Sequence, residues 1–212
     1  LHSDTHSFPT RRSSDLFPEM CHGCGSCLLI CPEEAITEIP DALGVLEGGP
    51  AIETIYFAHG ILNIGEPMAV PVISQLKKWG QNPTSVVTII DSPPGASCPV
   101  VESVHGADFV LLVTEPTPFG LHDLRQAHQL TKDLNAPAGV IINRIGVGDT
   151  GVEDYCCKTN LPILMQIPLE RQIGTGIAQG KTLLEIKPEY EIKFQELFTK
   201  IQDLTSKKEE VS

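Results

Sequence analysis

The sequence predicts an α/β protein built on a mostly parallel sheet, with a small cysteine-rich segment near its start. Three observations predict this. From about residue 51 onward, short apolar runs alternate with amphipathic stretches of helix length. Such alternation implies βαβ units with right-handed crossovers. Four of the seven cysteines fall within eleven residues. Val, Ile and Leu are plentiful while aromatics make up only 5%, which suits strands covered on both faces.

The 212 residues are 41% hydrophobic and 20% charged, a composition able to build one sizeable core. No apolar run approaches the roughly 18 residues that a membrane-spanning helix needs. A net charge of −12 argues against nonspecific nucleic-acid binding. The cysteine count in a chain this long does not describe a secreted disulfide scaffold, and the start carries no apolar signal segment. The expected compartment is the reducing cytoplasm, with metal-binding thiols.

Residues 1–16 (LHSDTHSFPTRRSSDL) show neither helical nor strand periodicity, and no initiator Met precedes them. The string resembles translated sequencing-adapter tails and is expected to be non-native. The other reading is a disordered native N-terminus.

The expected order is a cysteine-rich segment at 17–50, an α/β domain at 51–206 and a solvated tail at 207–212. The cysteines are followed by short turn-rich stretches, Pro40-Asp41 and Gly48-Gly49-Pro50. Strands are expected at 54–57, 86–91, 109–114, 138–143 and 162–167, the last four short and nearly all apolar. Helices are expected at 67–79, where Pro67 suits a first turn and Pro71 sits awkwardly, and at 120–134, 151–158 and 188–204.

Cys21, Cys24, Cys27 and Cys31 are spaced C-x2-C-x2-C-x3-C, with Pro32 following. This is the bacterial-ferredoxin spacing for a [4Fe–4S] cluster. Three thiolates at successive three-residue steps, on a loop loosened by Gly23 and Gly25, can meet three irons of one cubane. In the two-cluster arrangement the fourth cysteine serves the other cluster. A zinc site would call for a second C-x2-C pair, which the sequence lacks. His22 reads as a solvated loop residue. The ligand count then falls short: the first three cysteines need a fourth thiolate, and Cys31 needs three partners. The partner motif is expected upstream of this segment. The alternative is a single cluster recruiting a remote thiol, from Cys98, Cys156 or Cys157.

The second chemical feature is the string DSPPGASCP after the apolar run 86–90. A carboxylate at the carboxyl end of a parallel strand stands where such sheets bind ligands. In nucleotide hydrolases it holds Mg²⁺, usually through water. Alone, Asp91 could equally cap a helix. Gly95 lets a backbone N–H approach a phosphate. Asn143 ends another apolar run and offers a donor and an acceptor, enough to read an adenine edge, or to start a turn. Arg144 follows it, and Pro168 closes the last run.

Taken together, the segments CHGCGSCLLICPEEAI (21–36), ILNIGEP (61–67), TIIDSPPGASCPV (88–100), GADFVLLVTEPTPFGLHDL (106–124), GVIINR (139–144) and IPLERQIG (167–174) resemble the MinD/ParA-type P-loop ATPases, in the branch with an inserted ferredoxin domain. The resemblance spans residues 17–204. It implies a three-layer P-loop fold binding ATP with Mg²⁺ and one or more 4Fe-4S clusters, and a homodimer formed around nucleotide. It assigns Asp91 to the Mg²⁺ and water side, Gly95 to the switch turn, and Asn143, Arg144 and the loop after Pro168 to the adenine pocket. One departure stands out. The family's G-x-x-x-x-G-K-[ST] loop occurs nowhere in the chain, and Gly174–Lys181 lacks its order. The expectation is therefore a segment lacking its phosphate loop, inactive on its own. Its parent would couple ATP to cluster carriage, electron transfer or scaffolding for a client the sequence does not name. The rival reading is a non-enzymatic ferredoxin-type electron carrier whose α/β part binds partners.

Overall fold

The computed structural model describes residues 23–52, 55–80 and 85–209. The chain divides into two compact units, Leu1–Gly80 and Gln81–Ser212.

The first unit contains a five-residue helix α1 (Ser26–Ile30), strands β1 (Gly44–Ile52) and β2 (Ile55–Leu62), and helix α2 (Val70–Trp79). β1 and β2 form an antiparallel ribbon with Gly44 opposite Leu62 and Gly48 opposite Ala58. The strand expected at 54–57 is thus the start of a longer one, and its partner lies in a stretch that reads as turns. The glycines explain this: a Cβ at Gly44 or Gly48 would run into the Ile61 or Phe57 carbonyl. They permit close strand approach rather than reversal. Pro50 lies opposite Tyr56 in a two-stranded ribbon, where an outer edge tolerates a residue with no N–H. The expected change of domain at 50–51 falls inside β1. α2 packs on one face of the ribbon, where Gly60 makes room for Val72 and Leu76. Because α2 begins at Val70, Pro71 occupies its first turn and loses no helical hydrogen bond.

The second unit runs α3 (Cys98–Val104), β3 (Val110–Thr114), α4 (Pro118–Asp133), β4 (Ala138–Ile145), α5 (Gly151–Thr159), β5 (Ile163–Pro168), α6 (Arg171–Ala178), α7 (Leu183–Ile186) and α8 (Tyr190–Glu209). Its strands form one parallel sheet in the order β3-β4-β5, as the alternating pattern predicts. One face carries Val140, Ile142, Leu124, Val152, Cys156 and Leu161, so α4 and α5 cover it. The other face buries Ile141, Leu164 and Met165 against Leu197 of α8. This is a three-layer α/β sandwich. Val140 and Ile142 have no exposed surface, as a central strand covered on both sides requires.

The run 86–91 is a correction. It forms no strand, and Val86 and Ile89 are 96% and 90% exposed. An apolar run becomes a strand only where a neighbouring edge accepts its N–H and C=O groups. Among the described residues β4 is the only strand paired with β3, and none pairs with 86–91. Helices α3, α6 and α7 were not expected. α3 and α7 are under eight residues, and α6 contains Gly174 and Gly176, so periodicity had little to register.

Candidate functional site

The cysteine segment begins with two glycines in left-handed backbone, Gly23 at φ 59° and Gly25 at φ 70°, a conformation glycine adopts without strain. They let the chain turn from Cys24 into α1, which carries Cys27. Cys31 caps the helix in extended conformation. Cys21 lies outside the described residues, and so does His22. Among the described residues no three potential ligands are grouped to hold a metal. The expected convergence of Cys21, Cys24 and Cys27 therefore turns on a residue outside them.

The three described thiols can still be tested for fit to an iron–sulfur group. Cys24 Sγ lies 3.4 Å from Ser26 Oγ, and hydrogen bonding from the Ser26 hydroxyl draws its pKa below the ordinary thiol range. Ala35 N–H donates to Cys31 Sγ at 3.4 Å. That contact, with further backbone donors from Glu33 onward, lowers the Cys31 pKa as well. N–H and O–H donors aimed at sulfur favour thiolate, the form that binds iron, and such donors also tune cluster potentials. The donor set fits the group. By contrast Cys156, a remote-ligand candidate, is 1% exposed in the second unit's core, and burial pushes its thiol pKa up.

The second site is the carboxyl edge of the parallel sheet. Thr114 of β3 stands opposite Ile142 of β4, and Ile145 opposite Pro168 of β5. Three strand ends therefore meet at one edge. Thr114 Oγ1 donates to the Gly120 carbonyl at 2.9 Å, and Gly120 N–H donates to Thr117 Oγ1 at 3.0 Å. Together they fix the turn into α4. Arg144 sits in left-handed backbone at φ 58°. Its N–H donates to Asn143 Oδ1 at 3.0 Å, and its Nη1 meets Glu115 Oε1 at 3.0 Å. Leu169 N–H donates to the Ile145 carbonyl at 2.9 Å, so the loop after Pro168 is tied directly behind Asn143 and Arg144. Lys187 Nζ then clamps Glu170, the N-cap of α6, at 2.6 Å.

The structure thus brings Asn143, Arg144 and Pro168 to one edge. It does not bring Asp91 there as a strand end. Asp91 is exposed, and among the described residues no hydrogen bond or ion pair joins it to this edge. Gly95 adopts φ 94°, which suits a tight turn. Glu115 went unnoticed in the sequence, since a lone acid after an apolar run carries no signal until the register sets it beside Arg144.

Residues 15–37 match the 4Fe-4S binding domain family. That span includes all four spaced cysteines. The chain is also similar to two proteins of Methanocaldococcus jannaschii. Uncharacterized protein MJ0579 is 29% identical over 167 residues, 79% of this chain and 57% of the relative. Uncharacterized protein MJ0578 is 27% identical over 206 residues, 86% of this chain and 72% of the relative. The chain thus spans less than two thirds of the length of the first of them. Among solved structures it is similar to the cell division ATPase MinD of Pyrococcus furiosus, with TM-score 0.47 and 21% identity, covering 66% of this chain and 58% of that one. It is likewise similar to the MinD cell division protein of Aquifex aeolicus, with TM-score 0.49 and 18% identity, covering 66% and 63%. No helix of the described residues is long and apolar enough to cross a membrane.

Proposed function

We propose that the chain belongs to an ATP-binding iron–sulfur protein of the MinD/ParA-like kind, in which nucleotide binding or hydrolysis is coupled to a 4Fe-4S domain. One observation carries the nucleotide half: Asn143, Arg144 and the loop after Pro168 stand together at the carboxyl edge of a parallel sheet, where such sheets bind ligands. The iron–sulfur half rests on the family match and on the thiolate-favouring donors around Cys24 and Cys31.

In this reading Cys21, Cys24, Cys27 and Cys31 supply thiolates, and a bound cluster supplies one-electron chemistry. Asn143 and Arg144 hold the base. Asp91 orients Mg²⁺ or the attacking water, and the Gly95 turn carries an N–H to the phosphates. The role is cluster carriage, electron transfer or scaffolding, and the working form is a homodimer. The chain has no G-x-x-x-x-G-K-[ST] loop, so the main electrostatic cradle for β- and γ-phosphate must come from sequence outside these residues.

The test compares ATP turnover by this chain with that of the full reading frame from which it comes. The full frame is expected to hydrolyse ATP and to lose that activity in Asp91→Ala. A full frame whose ATP binding and turnover are both at background would contradict the reading.

A further inference from the structure

β3 and β4 lie in register side by side, so Glu115 and the pair Asn143–Arg144 leave the sheet at the same edge. Two separate contacts hold Arg144. The Asn143 side chain accepts its backbone N–H, and Glu115 takes its guanidinium. The backbone so held is left-handed, a conformation that strains a non-glycine residue. The Glu115–Arg144 pair is substantially exposed, 41% and 58%. Exposed pairs contribute little to stability. Stability alone therefore does not account for the arrangement.

Its chemistry points to a ligand instead. A guanidinium anchored by a carboxylate presents a flat, cationic face that stacks on aromatic rings. The preceding residue, Asn143, has its side-chain carbonyl engaged by the Arg144 backbone N–H. Its amide N–H groups have no partner among the described residues. A planar cation next to amide donors suits a heterocycle that has both a broad π face and ring-nitrogen acceptors. A purine has more stacking area than a pyrimidine, and it carries such acceptors at its rim.

We propose that Glu115 is a positioning residue of a purine-base subsite: it touches no base, and it holds the Arg144 guanidinium flat beside Asn143 so that a purine stacks there. The proposal rests on the nucleotide reading above and goes beyond it by naming what orients Arg144. It makes the base subsite independent of any phosphate loop, so adenosine should bind this chain without help from phosphates.

The experiment titrates the isotopically labelled chain with adenosine, and separately with uridine and ATP, following amide shifts. Adenosine is expected to move the amides around Glu115 and Asn143–Ile145, with a clear preference over uridine. Arg144→Ala should weaken adenosine at least about fivefold, the lower range for loss of a stacking partner. Glu115→Gln should weaken it roughly threefold, within the range of an exposed pair, and narrow the adenosine-over-uridine preference. Glu115→Asp, which keeps the charge, should retain more of that preference than Gln. Unchanged amide shifts in the β4 core of each variant separate positioning from misfolding. Glu115→Gln binding adenosine with wild-type affinity and preference would overturn the positioning role while leaving the nucleotide reading intact. If neither adenosine nor ATP shifts this edge, the subsite is overturned and the nucleotide reading loses its main support.

Discussion

His128 Nδ1 and the Tyr155 hydroxyl stand 2.9 Å apart, joining α4 to α5 beneath the face that carries Val140 and Ile142. His128 is 5% exposed, and the two rings meet edge to face at 5.7 Å. Arg125 lies over the Tyr155 ring from the solvent side. Removing the hydroxyl would leave a buried ring nitrogen without its partner, which costs about 1–3 kcal/mol. Tyr155→Phe should therefore lower the unfolding free energy by that amount in urea titrations. An unchanged midpoint would show that the bond contributes nothing.

The same histidine sets a pH dependence. Burial, and then the positive charge of Lys132, hold its pKa below the ordinary value, whereas in the unfolded chain it returns to about 6.5. The fold therefore favours neutral imidazole. Its contribution is complete above about pH 6.5, falls as pH drops from there toward the folded-state value, and loses nothing more below it. Between pH 7.5 and 5.5 the urea midpoint of the wild type should fall more steeply than that of His128→Gln. Parallel slopes would contradict this account.

The carboxyl-edge loops depend on one glycine. Gly148 adopts φ 93°, and a Cβ there would run into the Pro116 carbonyl. This close approach sets the β4–α5 loop against the turn that follows Glu115. Gly148→Ala should both strain the backbone and push that turn away, destabilising the unit by about 1–3 kcal/mol. Amide shifts at Glu115–Thr117 should move in the variant while those of α8 stay fixed. Shifts confined to residue 148 and its neighbours would contradict the coupling.

What could be read from the sequence follows from where each signal lies. β3, β4 and β5 are short, mostly apolar runs, so their place in a doubly covered sheet was legible. The four cysteines were legible as a motif because spacing is itself the signal, and all four fall within the stretch similar to the 4Fe-4S binding domain family. β1 was hidden because Gly44, Gly48 and Pro50 are turn formers by type, and their role as close-approach residues appears only once Ile61 and Phe57 lie opposite them. The run 86–91 misled for the opposite reason. Its composition is that of a strand, but pairing needs an edge that composition does not report. Glu115 was silent because its partner is 29 residues away along the chain and adjacent only through β3–β4 register.

On its own, the 212-residue chain should hydrolyse no ATP above background, for want of a lysine-bearing phosphate loop. A sensitive phosphate-release assay checks this. Turnover that disappears in Asp91→Ala would show that these residues already hold a complete phosphate site.

The central claim, that these cysteines hold a 4Fe-4S group, is tested most directly by iron and sulfide content per chain after anaerobic reconstitution. The 212-residue chain should take up little cluster, or lose it quickly, because three thiolates leave the fourth iron open to water and oxidation. The full reading frame, with a second C-x2-C-x2-C-x3-C-P run expected upstream, should carry about eight irons, as two cubanes require, and lose visible absorbance in Cys24→Ser and Cys27→Ser. A stable cluster on the present chain that survives Cys31→Ser would point to a remote thiol, and one lost on Cys31→Ser would mean that all four cysteines serve a single cubane; either defeats the two-cluster account. A full-length protein that stays colourless, or whose iron content ignores Cys24 and Cys27, would contradict the iron–sulfur assignment itself.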